Sequence, residues 1–202
     1  MVKKYTSEVK TILAKHKAGW VFTHADFKKL NNTATIERAL SRLVANGEIK
    51  RIRRGLYYIP EISRWGEVLP SVSNILKALA KSMNTYFVPD GANALYQLGL
   101  TPQVPMKQVY LTDKQISPIT IGKMQIEFKK VTPKKLSGAK KGVGHYLSAI
   151  EYLGKNEIFQ EDVKAKIANI IDKNIAYKLK DASQARARWV QEAVKQITQK
   201  VA

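Results

Sequence analysis

Within residues 33–60, basic side chains recur at helical spacing and are then concentrated in a tight turn. Arg38 and Arg42 are one helical turn apart, and Arg53-Arg54-Gly55 forms a turn soon afterwards. A guanidinium donates two parallel hydrogen bonds, a geometry that suits the O6 and N7 acceptors of guanine or the oxygens of a phosphate. The pattern therefore predicts contacts with double-stranded DNA.

Further candidate contacts lie at the start of the same helix and along the strand that follows it. Thr33 and Thr35 are near the helix N-terminus, where they suit phosphate oxygens or a thymine methyl. The arginines of the turn are expected to contact the DNA backbone or to enter the minor groove. The predicted DNA-binding set is Thr33, Thr35, Arg38, Ser41, Arg42, Lys50, Arg51, Arg53 and Arg54. An ordinary solvated helix and turn, or a module used only for protein contact, is the alternative.

A helix and a hairpin must position these side chains. One helix face is predicted to be buried because apolar residues recur at i, i+4, i+7 and i+8, namely Ile36, Leu40, Leu43 and Val44. Gly47 ends this helix, and Ile49 and Ile52 begin a hairpin whose return strand ends at Pro60. Tyr57 and Tyr58 on the return strand are expected to pack rather than to stack on bases.

Shorter elements are predicted ahead of this helix. The pattern favours a helix from Thr6 or Ser7 to about Lys17, a short strand at 20–22 and a brief helix at 24–29 that Thr23 and Asp26 begin. Asn31 and Asn32 make the turn into the next helix. Helix, strand, helix, helix and hairpin is the order of a winged helix-turn-helix.

Gly66 and Pro70 interrupt regular secondary structure and therefore predict a linker at 62–70. This linker divides the chain into domains 1–66 and 67–202. The second domain is predicted to mix a small sheet with helices. Ser71 is expected to begin a helix, which a strand at 86–88 follows, and Asp90 is expected to cap the next helix. Further strands are expected around 109–111 and 126–128, and the tail is expected to be helical. The expected fold class is α+β, a winged helix followed by a mixed α/β domain with a helical tail.

Composition restricts the class of partner. The chain has 202 residues, a net charge of +19 and a pI near 10.0, and Lys and Arg outnumber Asp and Glu by 14 to 5 over residues 1–66. An excess of this size favours polyanions, although ribosomal and membrane-surface proteins share it. The absence of cysteine, of an N-terminal apolar segment and of a long apolar run predicts a cytoplasmic protein without a membrane partner.

Other chemistry has little support in the sequence. His16, His24 and His145 are far apart and give no support for a metal site or a histidine base, and no catalytic serine motif appears. Neither an enzymatic activity nor a cofactor is expected. The segment Gly138–Gly144 precedes a helix and suits either a phosphate cradle or a flexible loop. Six lysines around it are a candidate surface for RNA or an acidic protein, with a solvated charge run as the alternative: Lys129, Lys130, Lys134, Lys135, Lys140 and Lys141.

Two stretches of the chain resemble the AbiEi-type antitoxins of type IV toxin-antitoxin and abortive-infection systems. FTHADF at 22–27 and IERALSRLVANGEIKRIRRGLYYIP at 36–60 resemble the winged helix of that family. PDGANALYQLGLTPQVPMKQVYLTD at 89–113 and ITIGKMQIEFKKVTPKKL at 119–136 resemble its second domain, and residues 91–105 are the most specific part. The resemblance covers most of residues 5–155, and the helices beyond match least.

The resemblance implies a protein with two roles. The winged helix would repress its own operon at promoter inverted repeats, as a monomer in solution with two copies on the DNA. The second domain would counter a co-encoded nucleotidyltransferase toxin, without a stable complex between the two proteins, as part of phage defence. A stand-alone transcriptional regulator whose second domain binds a ligand or partner is the first alternative, and an RNA-binding protein that shields the toxin's target is the second.

Overall fold

The computed structural model of the protein describes residues 2–30 and 32–201, with side chains described from Thr6 onward. It has the expected α+β fold, in which residues 1–85 and 119–124 form one compact unit and residues 86–118 and 125–202 form another. The helix after Ser71 therefore groups with the first unit, whereas the sequence places it in the second domain. Within the described residues, no helix has both the length and the apolar character needed to cross a bilayer.

The first unit begins with helix α1 (Val2–Leu13), strand β1 (Val21–Thr23) and a 3₁₀ segment (His24–Leu30). Helix α2 (Thr33–Ala45) follows, and then strands β2 (Lys50–Arg53) and β3 (Leu56–Tyr58). The three strands form an antiparallel sheet in the order β1-β3-β2, in which Phe22 is opposite Tyr57 and Arg51 is opposite Tyr57 on the other side.

The sequence places most of these elements correctly. The backbone amide of Thr23 donates to Oδ2 of Asp26, 2.9 Å away, so these two residues begin the 3₁₀ segment as expected. Helix α1 differs, because it begins at Val2, ahead of the Thr6 and Ser7 caps, and ends at Leu13 rather than near Lys17. After Leu13 the backbone amides of Lys15 and His16 donate hydrogen bonds to the carbonyls of Ile12 and Leu13. These bonds span three residues, as in a 3₁₀ turn, and they end the α-helix before β1.

A second hairpin replaces the linker that the sequence predicts at 62–70. Strands β4 (Glu61–Ser63) and β5 (Gly66–Val68) pair antiparallel, and helix α3 (Val72–Met83) begins with Ser71 as its cap. Two of the residues taken as linker, Ser63 and Gly66, are paired across the turn, where the Ser63 hydroxyl donates to the Gly66 carbonyl over 2.9 Å. The turn also presents Trp65, a residue that is 84% exposed and whose ring centroid lies 4.8 Å from the Arg64 guanidinium carbon.

The remaining elements are a four-stranded sheet and five helices. The sheet has the order β6-β7-β9-β8, from strands β6 (Val88–Pro89), β7 (Gln108–Thr112), β8 (Ile119–Ile121) and β9 (Met124–Lys130), with β7 and β9 parallel. Helix α4 (Gly91–Gln97) follows β6, and a 3₁₀ turn (Pro133–Leu136) follows β9. The helical tail is α5 (Gly144–Ile158), α6 (Glu161–Ala168), α7 (Lys173–Ser183) and α8 (Arg188–Gln199).

The two units have separate cores. Phe22, Phe27, Leu40 and Leu43 are fully buried in the first unit. Leu147, Ile150, Leu179 and Val194 hold together the helical tail of the second. Each core brings apolar residues from at least three elements together, which is what fixes the surface residues on a rigid frame.

Candidate nucleic-acid interface

The side chain of Asn32 caps the N-terminus of α2. Oδ1 of Asn32 accepts a hydrogen bond from the Thr35 amide, 3.0 Å away, so one of the free helix amides is already satisfied. Thr33 is exposed at the first helical position, and Thr35 is half-buried. Thr33 is therefore the better placed of the two predicted threonines for contact with a ligand, and Asn31, part of the predicted turn, lies outside the described residues.

Helix α2 has the two faces that its sequence predicts. Ile36, Ala39, Leu40 and Leu43 are buried, while Arg38, Ser41 and Arg42 are exposed on the opposite face. No described residue forms an ion pair with Arg38 or Arg42. Both guanidiniums are therefore free to bind an external acceptor, and their spacing of four residues places them one above the other along the helix.

An open depression of about 600 Å³ lies between the exposed face of α2 and the β2–β3 hairpin. Ser41 lines it from the helix, and Arg51, Arg53 and Arg54 line it from the hairpin. Thus the structure brings together four of the nine predicted DNA-binding residues, while Arg38 and Arg42 lie outside the lining. The register between β2 and β3 shifts between Arg51 and Arg53, an irregularity of the kind that changes the direction of side chains along a strand.

The arginines of the hairpin differ in their environments. Arg51 and Arg54 are exposed, whereas Arg53 is half-buried. Burial lowers the pKa of Arg53 below the ordinary value for arginine, because removal from water disfavours the charged form. An arginine remains charged at neutral pH in proteins, so the depression holds three positive charges.

Glu37 also lines this depression, and the sequence interpretation does not include it. It precedes Ser41 by four residues, so both lie on the strip of α2 that faces the hairpin. The spacing was available in the sequence, but the hairpin's position beside this strip was not. Glu37 opposes part of the positive potential of the arginines.

Lys50 has an internal partner. Its ammonium forms an ion pair with Glu67, which also accepts a hydrogen bond from the Tyr58 hydroxyl at 2.7 Å. The ion pair with Lys50, and then the Tyr58 bond, lower the pKa of Glu67, while burial followed by the Glu67 contacts raises the pKa of Tyr58 to about 12. The sequence misses this cluster because Glu67 falls in the segment taken as a linker. Lys50 is therefore less available to DNA than the exposed arginines.

Tyr57 and Tyr58 are buried, as predicted. The Tyr57 ring stacks on Phe22 with ring centroids 5.9 Å apart, and Phe22 in turn meets Phe27 edge-on at 5.6 Å. These aromatic contacts hold β3 against β1 and the 3₁₀ segment. The hairpin that carries the arginines is thereby anchored in the core.

The six predicted lysines of the second unit divide into two sets. Lys129 pairs with Asp90 at 2.8 Å, Lys135 pairs with Glu151 at 2.6 Å, and Lys141 pairs with Asp181. The other three, Lys130, Lys134 and Lys140, are exposed and pair with no described carboxylate. Asp90 is at the N-cap position of α4, as expected, but its side chain makes no capping bond and pairs with Lys129 instead.

Buried Arg186 fixes the segment that precedes α5. Its Nε donates to Ser137 Oγ at 2.8 Å, and its Nη2 donates to the Lys135 carbonyl at 2.7 Å. Within the segment, an added Cβ at Gly138 would lie 3.0 Å from Val143 Cγ2, and φ there is +82°. This close packing differs from the flexible loop considered from the sequence. The sequence interpretation also misses Arg186, whose buried charge holds the segment in place.

The histidines show no arrangement typical of metal sites. Among the described residues, no three His, Cys, Asp or Glu side chains converge on one point. His145 is half-buried beside Tyr146, and burial lowers its pKa from 6.5.

Comparison with known proteins identifies one family. The profile of a family of unknown function, DUF6088, matches residues 8–179 of the chain. A search of curated proteins finds no match.

Proposed function

Because the chain belongs to the DUF6088 family of unknown function, we propose a function from its own residues: the first unit binds double-stranded DNA as a winged helix-turn-helix. The order of α1, β1, the 3₁₀ segment, α2 and the β2–β3 hairpin supports this proposal. In this arrangement α2 is the recognition helix and the hairpin is the wing.

One observation carries the proposal. The exposed face of α2 and the arginines of the hairpin lie on either side of a single open depression. Helix α2 has 13 residues and is therefore about 20 Å long, and a helix of that kind enters the major groove, which is about 12 Å wide. With α2 in the groove, Arg38 and Arg42 reach base edges, while Arg51 and Arg54 contact the flanking phosphates.

The resemblance to AbiEi-type antitoxins extends this proposal to a biological role. The chain represses its own operon by binding promoter inverted repeats with two copies, and it opposes a co-encoded nucleotidyltransferase toxin. The second candidate is a stand-alone regulator whose second unit binds a ligand or partner. An adjacent reading frame for a nucleotidyltransferase, whose expression stops growth unless this chain is co-expressed, separates the first candidate from the second.

DNA binding is tested by gel shift with the duplex upstream of the chain's own gene and with a shuffled duplex of the same composition. The full chain is expected to prefer the upstream duplex, and a variant with Arg38→Ala and Arg42→Ala is expected to lose that preference. The matched control is Lys15→Ala with Lys77→Ala, since both lysines are exposed in the first unit and lie outside the depression. Equal losses in the two double variants would show that net charge alone drives binding.

A further inference from the structure

A second basic surface lies in the helical tail, within the second unit. An open depression of about 310 Å³ is lined by the end of α7 and one face of α8. Lys180 contributes from α7, and Arg188 and Lys195 contribute from α8, with one carboxylate, Glu192, among the lining residues. The lining is therefore positive at neutral pH.

The three cations of this depression are not neutralised internally. Lys180, Arg188 and Lys195 are exposed, and none forms an ion pair with a described carboxylate. The nearest acidic residue on α7, Asp181, pairs with Lys141, and Glu192 accepts from the Gln196 amide at 3.0 Å. A polyanion would supply the opposite charge that the chain itself does not.

An aromatic side chain continues this surface along α7. Tyr177 is 75% exposed, and it lies three residues before Lys180 and four residues after Lys173. Residues at these spacings are neighbours on one helix surface. An exposed aromatic ring between cations is how proteins bind a single strand, because the ring stacks on a base while the cations contact the phosphates on either side.

Two glutamines add hydrogen-bond acceptors to the depression. The Gln191 side-chain amide donates to the Arg186 carbonyl at 3.0 Å, and that of Gln184 donates to the Lys180 carbonyl at 3.4 Å. Each side chain therefore uses its nitrogen internally and keeps its oxygen as an acceptor. Phosphates and the DNA sugar offer no donor for these oxygens, whereas the ribose 2′-hydroxyl does.

From these contacts we infer that the α7–α8 surface, with Tyr177 at its edge, binds single-stranded RNA. The cations contact the phosphates, Tyr177 stacks on a base, and the glutamine oxygens accept from 2′-hydroxyls. This surface is separate from the proposed DNA-binding surface of the first unit, so either activity can be lost without the other.

The test uses the full chain and fluorescence anisotropy with a labelled oligouridylate of about 12 nucleotides, a length within the range that such surfaces cover. The deoxyuridine oligomer of equal length is the parallel probe. The RNA oligomer is expected to bind more tightly than the deoxyuridine oligomer at the same salt concentration. Equal affinity for the two oligomers would overturn the inference.

Three variants localise the binding. Tyr177→Ala should weaken RNA binding roughly 5- to 150-fold, the loss expected for one stacked base, while Tyr177→Phe should retain it. Combined Lys180→Ala, Arg188→Ala and Lys195→Ala should reduce the slope of log affinity against log salt by about 2, since each phosphate contact on a single strand accounts for about 0.7.

The matched control removes the same charge elsewhere in the second unit, through Lys107→Ala, Lys155→Ala and Lys166→Ala, three exposed lysines outside the depression. This variant should bind RNA nearly as well as the unmodified chain. Equal losses in the two triple variants would show that binding follows total charge, and the α7–α8 site would then be wrong. Circular dichroism and the melting temperature of each variant establish that it is folded, and duplex DNA binding through the first unit should survive in all of them.

Discussion

Nη1 of Arg186 donates to Oε2 of Glu151 across 2.9 Å, and the Arg186 side chain is almost completely buried. The same carboxylate oxygen pairs with Lys135 at 2.6 Å. Since Arg186 also binds Ser137 and the Lys135 carbonyl, one guanidinium connects α5, the segment before it and the start of α8. A buried charge of this kind is tolerated only while its donors are satisfied.

Replacing Arg186 by alanine should destabilise the fold strongly, because Glu151 and the Lys135 carbonyl would lose a buried partner. The expected loss is about 3–5 kcal/mol in the free energy of unfolding, measured by urea denaturation. Arg188→Ala is the control, since it removes the same side chain from an exposed position two residues away and should change stability by no more than about 0.5 kcal/mol. Similar losses in the two variants would contradict a structural role for Arg186.

Tyr58 should make stability depend on pH in the alkaline range. Its pKa is about 12 in the folded chain against 10.0 ordinarily, so the folded state holds its proton more tightly than the unfolded state. The stabilisation is complete below pH 10 and is lost as pH rises from 10 towards 12. Melting temperatures across this window should therefore fall more steeply for the unmodified chain than for Tyr58→Phe. Parallel curves would show that folding does not raise the pKa of Tyr58.

The hairpin arginines should contribute to affinity through phosphates rather than bases. Arg51→Ala with Arg54→Ala removes two exposed cations and should reduce the slope of log affinity against log salt on duplex DNA by about 1.8. The loss should be equal for the upstream duplex and its shuffled form. A loss confined to the upstream duplex would assign these arginines to base recognition instead.

Arg38 and Arg42 should behave in the opposite way. Replacing either by alanine should cost on the order of 1–3 kcal/mol on the preferred site and relax the base preference at one position. Selection of binding sites from a randomised duplex, repeated for each variant, measures the change. A uniform loss across all sequences would make that residue a phosphate contact.

The position of α3 predicts where the first unit can be cut. Ile75 and Leu79 are buried, α3 packs against β1, and Lys81 pairs with Asp26 at 2.6 Å. A fragment of residues 1–85 should therefore melt at a higher temperature than a fragment of residues 1–66, which also lacks Glu67. Equal melting temperatures would favour the domain boundary at residue 66.

Local patterns in the sequence predict the first unit well because its elements depend on nearby residues. The apolar spacing of Ile36, Leu40 and Leu43 matches the buried face of α2, and Gly47 adopts a φ of +74° at its end. In each case the chain's own periodicity or a glycine requirement determines the result.

Long-range partners explain the failures. Glu67 is paired with Lys50, seventeen residues earlier, and Arg186 reaches Ser137, forty-nine residues away. No periodicity or turn signal indicates such pairs. The hairpin at 61–68 was missed for a related reason, because glycine and an exposed tryptophan are as typical of a linker as of a two-stranded turn.

Glu37 gives the arginine-lined depression an evolutionary consequence. In the genetic code, any glutamate codon becomes a glutamine or a lysine codon by a single nucleotide change. Either replacement removes the Glu37 carboxylate from the lining of the depression and leaves the hydrophobic face of α2 unchanged. If DNA occupies the depression as proposed, one mutational step can strengthen DNA binding, and Glu37 keeps the affinity for DNA below its attainable maximum.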